Sequence, residues 1–187
     1  MVADPSAPVV APVRVPAAPP ASSEATHHVM QANKSKNTKP ELMVRRALRA
    51  AGLTGYRIHW KKVPGHPDIC FVGRRVAIFV HGCYWHRCPY CALPRPRSHP
   101  EFWEAKFARN RERDARDVAE LTAAGWTVVV IWECRLKKRR AEATLAEVID
   151  VVRGCGTERR GGRVVEAGSL GARRLAAIRV RRRSRRA

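Results

Sequence analysis

Acidic residues are scarce in this chain of 187: 16 Asp plus Glu stand against 37 Lys plus Arg, a formal charge of +21. That deficit moves most small-molecule enzymes out of first place and points to a polyanionic partner. Long apolar runs are also missing. No stretch approaches the roughly 20 residues that a membrane helix needs, and the N-terminus lacks the basic-then-apolar order of a secretory signal. The expectation is a soluble, intracellular protein with no membrane partner. Aromatics are few, 6% of residues, yet apolar residues together reach 45%, enough for one buried core and not two at this length. A purely disordered basic protein is thereby disfavoured. Cysteine is limited to six, which by count could make three disulfides. Three of them, Cys83, Cys88 and Cys91, crowd one loop too tightly for an ordinary disulfide framework in a cytosolic protein, so metal ligation is the better reading.

Composition divides the chain into three. Residues 1–32 are rich in Pro and Ala with little charge and no period, which reads as a disordered tail. Residues 156–187 are dominated by Arg, opposed from Arg159 onward by Glu166 alone; such a run reads as a solvated basic tail attracted to phosphates. The folded unit is then expected at 33–155. Inside it, Thr38-Lys39-Pro40-Glu41 has capping-box spacing before an apolar stripe at Val44, Leu48 and Ala51, so a helix is expected to end near Gly52. Residues 56–60 suit a short strand. After the break at Pro64-Gly65-His66-Pro67, the runs 69–72 and 76–80 form a hairpin about Gly73-Arg74. Its register sets Phe71 opposite Val76 and Ile69 opposite Ile78, bringing Asp68 beside Phe79, Val80 and His81. A long helix at 100–124, a buried strand at 126–132 and a last helix at 141–153 complete an α/β fold with a mixed sheet.

Four groups of residues can carry chemistry, and each has a plainer alternative. Cys83, Cys88 and Cys91 need a fourth tetrahedral ligand, which Cys134 supplies as it leaves a buried strand; a closed set of four thiolates is a structural zinc site. The alternative is free buried thiols, which is how Cys70 and Cys155 are read. Tyr84 and Trp85 stand between the first two of these cysteines, near Arg87, Arg95 and Arg97 and ahead of Phe102-Trp103. Aromatics among arginines suit base stacking or wedging between base steps; core packing is the alternative. Glu41, Asp68, His81 and His86 make a candidate polar site, although a capping-box Glu or a turn Asp needs no further role. Asp114 falls on the inward stripe of the long helix with Trp103, Phe107, Val118 and Leu121. A carboxylate there must find a partner, either an arginine or an imidazole that it orients.

Five ordered motifs then carry a resemblance: TKPE at 38–41, PGHPD at 64–68, AIFVHGCYWHRCPYC at 77–91, EFWEAKFARNRERD at 101–114 and GWTVVVIWEC at 125–134. Together, over about 33–136, they resemble the very short patch repair endonucleases, bacterial enzymes that nick DNA at T:G mismatches left by deamination of 5-methylcytosine. The resemblance implies a restriction-endonuclease-like core with a structural zinc. It implies that Asp68 holds a catalytic Mg2+ with help from the Val80 carbonyl, and that His86, oriented by Asp114, activates water. It places a catalytic His at His81 and a functional acid at Glu41. Tyr84, Trp85 and Trp103 correspond to the residues such enzymes drive into the duplex beside the mismatch.

Three positions depart from the family pattern: Val80 where some relatives carry Thr, Cys88 where the second zinc ligand is often His, and Tyr84 for a common Phe. The expected partners are mismatched double-stranded DNA and the mismatch-repair and resynthesis proteins that follow, with the enzyme a monomer in the bacterial cytoplasm, on the nucleoid through DNA. Two rival readings share the charge, cysteines and aromatics: a catalytically silent zinc-stapled DNA-binding module, and a restriction-type nuclease of the same fold.

Overall fold

The structure is a computed structural model that describes residues 13–20, 23, 24, 28, 36–155 and 161–168. Helix α1, Lys39–Ala50, starts where Thr38 and Glu41 predict it, with the Glu41 carboxylate folded back on the helix entrance. It accepts the Asn37 N–H at 3.0 Å, the Thr38 N–H at 3.3 Å and the Thr38 hydroxyl at 2.8 Å. Glu41, Val44 and Leu48 form its buried stripe, and Gly52, in the left-handed region at φ 75°, ends it. Strands β1 (Arg57–Ile58), β2 (Ile69–Phe71) and β3 (Val76–His81) follow, then helix α2 (Pro100–Ala123) and strand β4 (Thr127–Trp132). A 3-10 turn at Glu133–Leu136, helix α3 (Arg140–Gly154) and strand β5 (Arg163–Ala167) complete the order.

The sheet runs β1-β2-β3-β4-β5. Its first three strands pair antiparallel, with the hairpin register Ile69 to Ile78 and Phe71 to Val76, while β3, β4 and β5 are parallel. A parallel pair needs a crossover, which the 24-residue α2 provides between β3 and β4. Period-two alternation sorts the side chains into two layers. Ile69, Phe71, Ile78, Val129 and Ile131 pack with Val44 and Leu48 of α1 and Val148 and Val152 of α3. Cys70, Ala77, Phe79 and Val128 pack with Leu121 of α2 and Trp126 on the other face. β4 is therefore covered on both sides, which explains its unbroken apolar sequence. No helix among the described residues is long and apolar enough to cross a membrane.

β5 lies beyond residue 155, in the stretch that composition assigns to the basic tail. Five residues, Arg-Val-Val-Glu-Ala, pair in parallel with β4. Ala167 is fully buried, and Glu166 accepts the Trp132 indole N–H. Arginine-rich composition conceals so short a strand, because what holds it is a tertiary partner and not its own pattern. β1 is also shorter than expected: His59 turns into the left-handed region at φ 45° and ends it. Most of the two expected tails, 1–12, much of 21–35, 156–160 and 169–187, lies outside the described residues.

Candidate functional site

Topology gathers the chemistry at one end of the sheet. β3 and β4 run in parallel, so His81 at the end of β3 and Cys134 just past β4 share that end, and antiparallel β2 brings Asp68 back to it. A cleft of about 870 Å³ opens there, lined among others by Glu41, Asp68, His81, His86, Asp114 and Asp117, with Lys106, Arg113 and Arg116 supplying positive charge.

The acids and imidazoles form two groups. In the first, Asp68 accepts the Val80 N–H at 2.7 Å through Oδ2. Its other oxygen, Oδ1, lies 3.6 Å from His59 Nδ1, and His59 Nε2 lies 3.4 Å from Glu41 Oε2. Burial pushes the Asp68 carboxyl up to about 6, against the pull of the Val80 N–H; Glu41 adds to the rise and His86 opposes it. In the second group, His86 Nδ1 is hydrogen-bonded to Asp114 Oδ2, and Arg113 donates to Asp114 Oδ1 at 3.0 Å. Burial works against the charge of Asp114, yet the His86 hydrogen bond and the charges of His86 and His81, with the Arg113 bond, outweigh it and hold the carboxyl below its ordinary range. His81 stacks flat on His86, centroids 4.1 Å apart. Burial, with His86 beside it, lowers His81 to about 3, so its ring is neutral at physiological pH.

The hairpin register does bring Asp68 level with Phe79 and onto Val80, but its side chain faces His59 and Glu41, whereas His81 turns to His86. His59 was not legible as a site residue. It follows a two-residue exposed strand, where its backbone turns into the left-handed region. Asp117, buried beside Arg116 at 3.1 Å, and Asn110, whose amide donates to the Trp85 carbonyl at 3.0 Å, likewise join through the helix spacing of α2.

Cys83, Cys88, Cys91 and Cys134 converge, one sulfur from each within 4.8 Å of the others. The Cys88 and Cys134 sulfurs are 3.7 Å apart, close to the roughly 3.8 Å edge of a tetrahedron with metal–sulfur bonds of about 2.3 Å. Burial pushes the Cys83 thiol well up and that of Cys88 up to about 11, whereas at Cys91 burial is outweighed by hydrogen bonds from the neighbouring cysteines, which hold the thiol below its ordinary range. The cluster can hold a metal ion. It also staples the segment carrying the aromatics: Tyr84 meets Trp85 and Phe107 edge-on at 5.2 and 5.4 Å, and Trp85 lies 6.2 Å from Trp103. Lys106 Nζ stands 5.3–5.4 Å from the rings of Trp85, Phe102 and Trp103. All three ring-bearing candidates are half-buried and packed against one another, and Trp85 lines the cleft.

Acids and imidazoles gathered in one cleft with Lys106, Arg113 and Arg116 at its wall, beside rings that can take a base, suit a DNA-cleaving hydrolase. The comparisons with known proteins narrow that class. Residues 22–91 match the family model described as DNA mismatch endonuclease Vsr. The type II nicking enzyme V.XorIIP of Xanthomonas oryzae pv. oryzae is 44% identical over 132 residues, covering 69% of this chain and 95% of that protein. The DNA mismatch endonuclease Vsr of Escherichia coli is 36% identical over 110 residues, 59% of this chain and 70% of that protein. The type II nicking enzyme V.NmeAIP of Neisseria meningitidis is 38% identical over 125 residues, 63% and 87% respectively. The chain belongs to the Vsr family of DNA mismatch endonucleases.

Proposed function

We propose that this endonuclease nicks one strand of duplex DNA on the 5′ side of the T in a T:G mismatch, leaving a 3′-hydroxyl and a 5′-phosphate, with Mg2+ at the catalytic site and Zn2+ among the four cysteines. The observation that carries this reading is the His86–Asp114 pair facing the Glu41 and Asp68 carboxylates across one cleft. The donor set fits an ion: Asp68 spends one oxygen on the Val80 N–H and keeps the other. Mg2+ bound there would neutralise charge on the phosphate and acidify a water molecule.

The protein's own groups do the rest. Asp114 holds the Nδ1–H of His86, which fixes the tautomer and leaves Nε2 free to take a proton from the attacking water. Neutral His81 buttresses that ring by stacking and adds no charge that would compete for the proton. Glu41, locked by its helix entrance, adds negative charge beside Asp68. Tyr84, Trp85 and Trp103 enter the duplex next to the faulty pair, where unstacking costs least, so the wedge itself discriminates mismatch from intact DNA. The mismatch-repair and resynthesis proteins that would follow are partners of the nicked product.

A panel of labelled duplexes differing only in one base pair, incubated with Mg2+ or with EDTA, tests the whole reading. One-strand nicking confined to T:G and dependent on Mg2+ is expected. Binding without cleavage would indicate a silent DNA-binding module, and cleavage of both strands of matched DNA a restriction-type nuclease. Trp85→Ala should lower the preference for mismatched over matched duplex about tenfold or more, given roughly 1–3 kcal/mol per stacked base, with little change in affinity for matched DNA. Equal losses on both duplexes, measured by competition binding, would contradict the wedge.

A further inference from the structure

His59 has no part in the chemistry above, yet it is held between the two carboxylates of the cleft. We propose that one ring nitrogen of His59 is a ligand of the divalent ion at Asp68, with Glu41 as the third protein group, so that the site prefers a first-row transition ion such as Mn2+ to Mg2+. This rests on the assignment of the ion to Asp68.

Three observations converge on it. The backbone of His59 lies in the left-handed region, φ 45°, which is uncommon for a residue other than Gly. The ring is largely buried, 17% exposed, and its Nε2 is buried with no hydrogen-bond partner. Each nitrogen faces a carboxylate oxygen, at 3.4 Å on Glu41 and 3.6 Å on Asp68. A neutral imidazole has one N–H and one bare lone pair. Between two acids, such a neutral ring leaves at least one nitrogen opposite an acceptor with nothing between them, and a cation seated there resolves that opposition without protonating the ring.

The oxygens concerned have room for one. Asp68 Oδ1 is the atom left over after Oδ2 has taken the Val80 N–H. Glu41 Oε2 receives the Asn37 N–H, while the two Thr38 donors go to Oε1. One atom each from Glu41, His59 and Asp68 lie within 4.8 Å of one another. In an octahedron with bonds of about 2.1 Å, ligands are about 3.0 Å apart when adjacent and about 4.2 Å when opposite, so one ion reaches all three with small side-chain shifts. All-oxygen sites suit Mg2+, whereas an imidazole among carboxylates favours transition ions.

Pulsed EPR of the full-length protein loaded with one equivalent of Mn2+ reads the bond directly. The expected result is a 14N coupling from a coordinated imidazole that persists in His86→Gln and vanishes in His59→Asn, since Asn accepts the left-handed backbone and brings no imidazole. Mn2+ affinity should fall about tenfold in His59→Asn, with Mg2+ affinity, read by competition, changing much less. His59→Gly serves as a second variant should the first fold poorly, as judged by thermal melting. Absence of the coupling in the parent protein overturns the proposal, as does its survival in a folded His59 variant. Asp68→Ala separates the two claims. Undiminished Mn2+ binding by that variant overturns the ion assignment beneath the proposal; lost binding there, with the coupling retained in His59→Asn, overturns only the role of His59.

Discussion

Asp68→Asn should abolish nicking of a T:G duplex, by on the order of a thousandfold or more, while leaving mismatch binding in EDTA within a few-fold of the parent. Metal-assisted stabilisation of a phosphoryl transition state is worth several kcal/mol, and Asn supplies a neutral oxygen in place of the carboxylate. Retained cleavage would remove Asp68 from the metal site. The same variant has a second, opposite effect. Burial raises the Asp68 carboxyl from 3.8 to about 6 in the folded protein, so the folded state binds a proton that the unfolded chain releases. The stability contributed by that proton is full below about pH 4 and is lost as pH rises through 6.

At pH 7.5 without divalent ion, the charged Asp68 is therefore a burden that Asn lifts, and the variant should melt several degrees higher, consistent with about 2 kcal/mol. The parent should lose ion affinity about tenfold for each unit of pH below 6, because the ion must displace the same proton. An ion affinity flat from pH 5 to 7, by titration calorimetry, would show that Asp68 does not titrate there.

Cys88→Ser should cost nearly as much by a different route. Cys83, Cys88 and Trp132 form a small buried cluster with Cys134 and Leu93 packed against it, and the Cys134 N–H points at Cys83 Sγ at 3.3 Å. A structural zinc in a small domain is worth on the order of 10 kcal/mol of folding free energy, comparable to a whole domain's net stability of about 5–15 kcal/mol. With one thiolate missing, bound zinc should drop well below one equivalent, the segment 82–91 should lose protection from proteolysis, and both nicking and mismatch preference should fall together. The joint fall follows because His86, Tyr84 and Trp85 all sit on the stapled segment. Metal analysis finding full zinc in the variant, or an active parent with none, would refute the structural role.

Local rules made much of this molecule legible. The capping residues Thr38 and Glu41, the punctuation at Gly52 and Gly125, and the hairpin about Gly73 each act over a few residues, so the chain announces them directly. The hairpin register follows from pairing across its turn, which sets Asp68 beside Phe79, Val80 and His81, and the bond to Val80 N–H bears out the second of these. Helical spacing alone set Asp114 on the face that carries Phe107 and Leu121. β5 was hidden because its stability comes from β4 alongside it, and a run of five residues among arginines has no pattern strong enough to declare that. His59 was hidden for a related reason: its direction is set by one left-handed residue, and nothing in Arg-Ile-His-Trp distinguishes an inward ring from an outward one.

The amino-acid sequence by itself determined the class of fold, the basic character, the grouping of four cysteines and the family of motifs, because these depend on residue type and short spacing. Only the tertiary structure decided which acid faces which imidazole. Asp68 could have met His81 or His59 with the same hairpin register; the side chain's choice between them depends on how α1, β1 and β3 close around it, and that is a property of packing over distances no local pattern encodes.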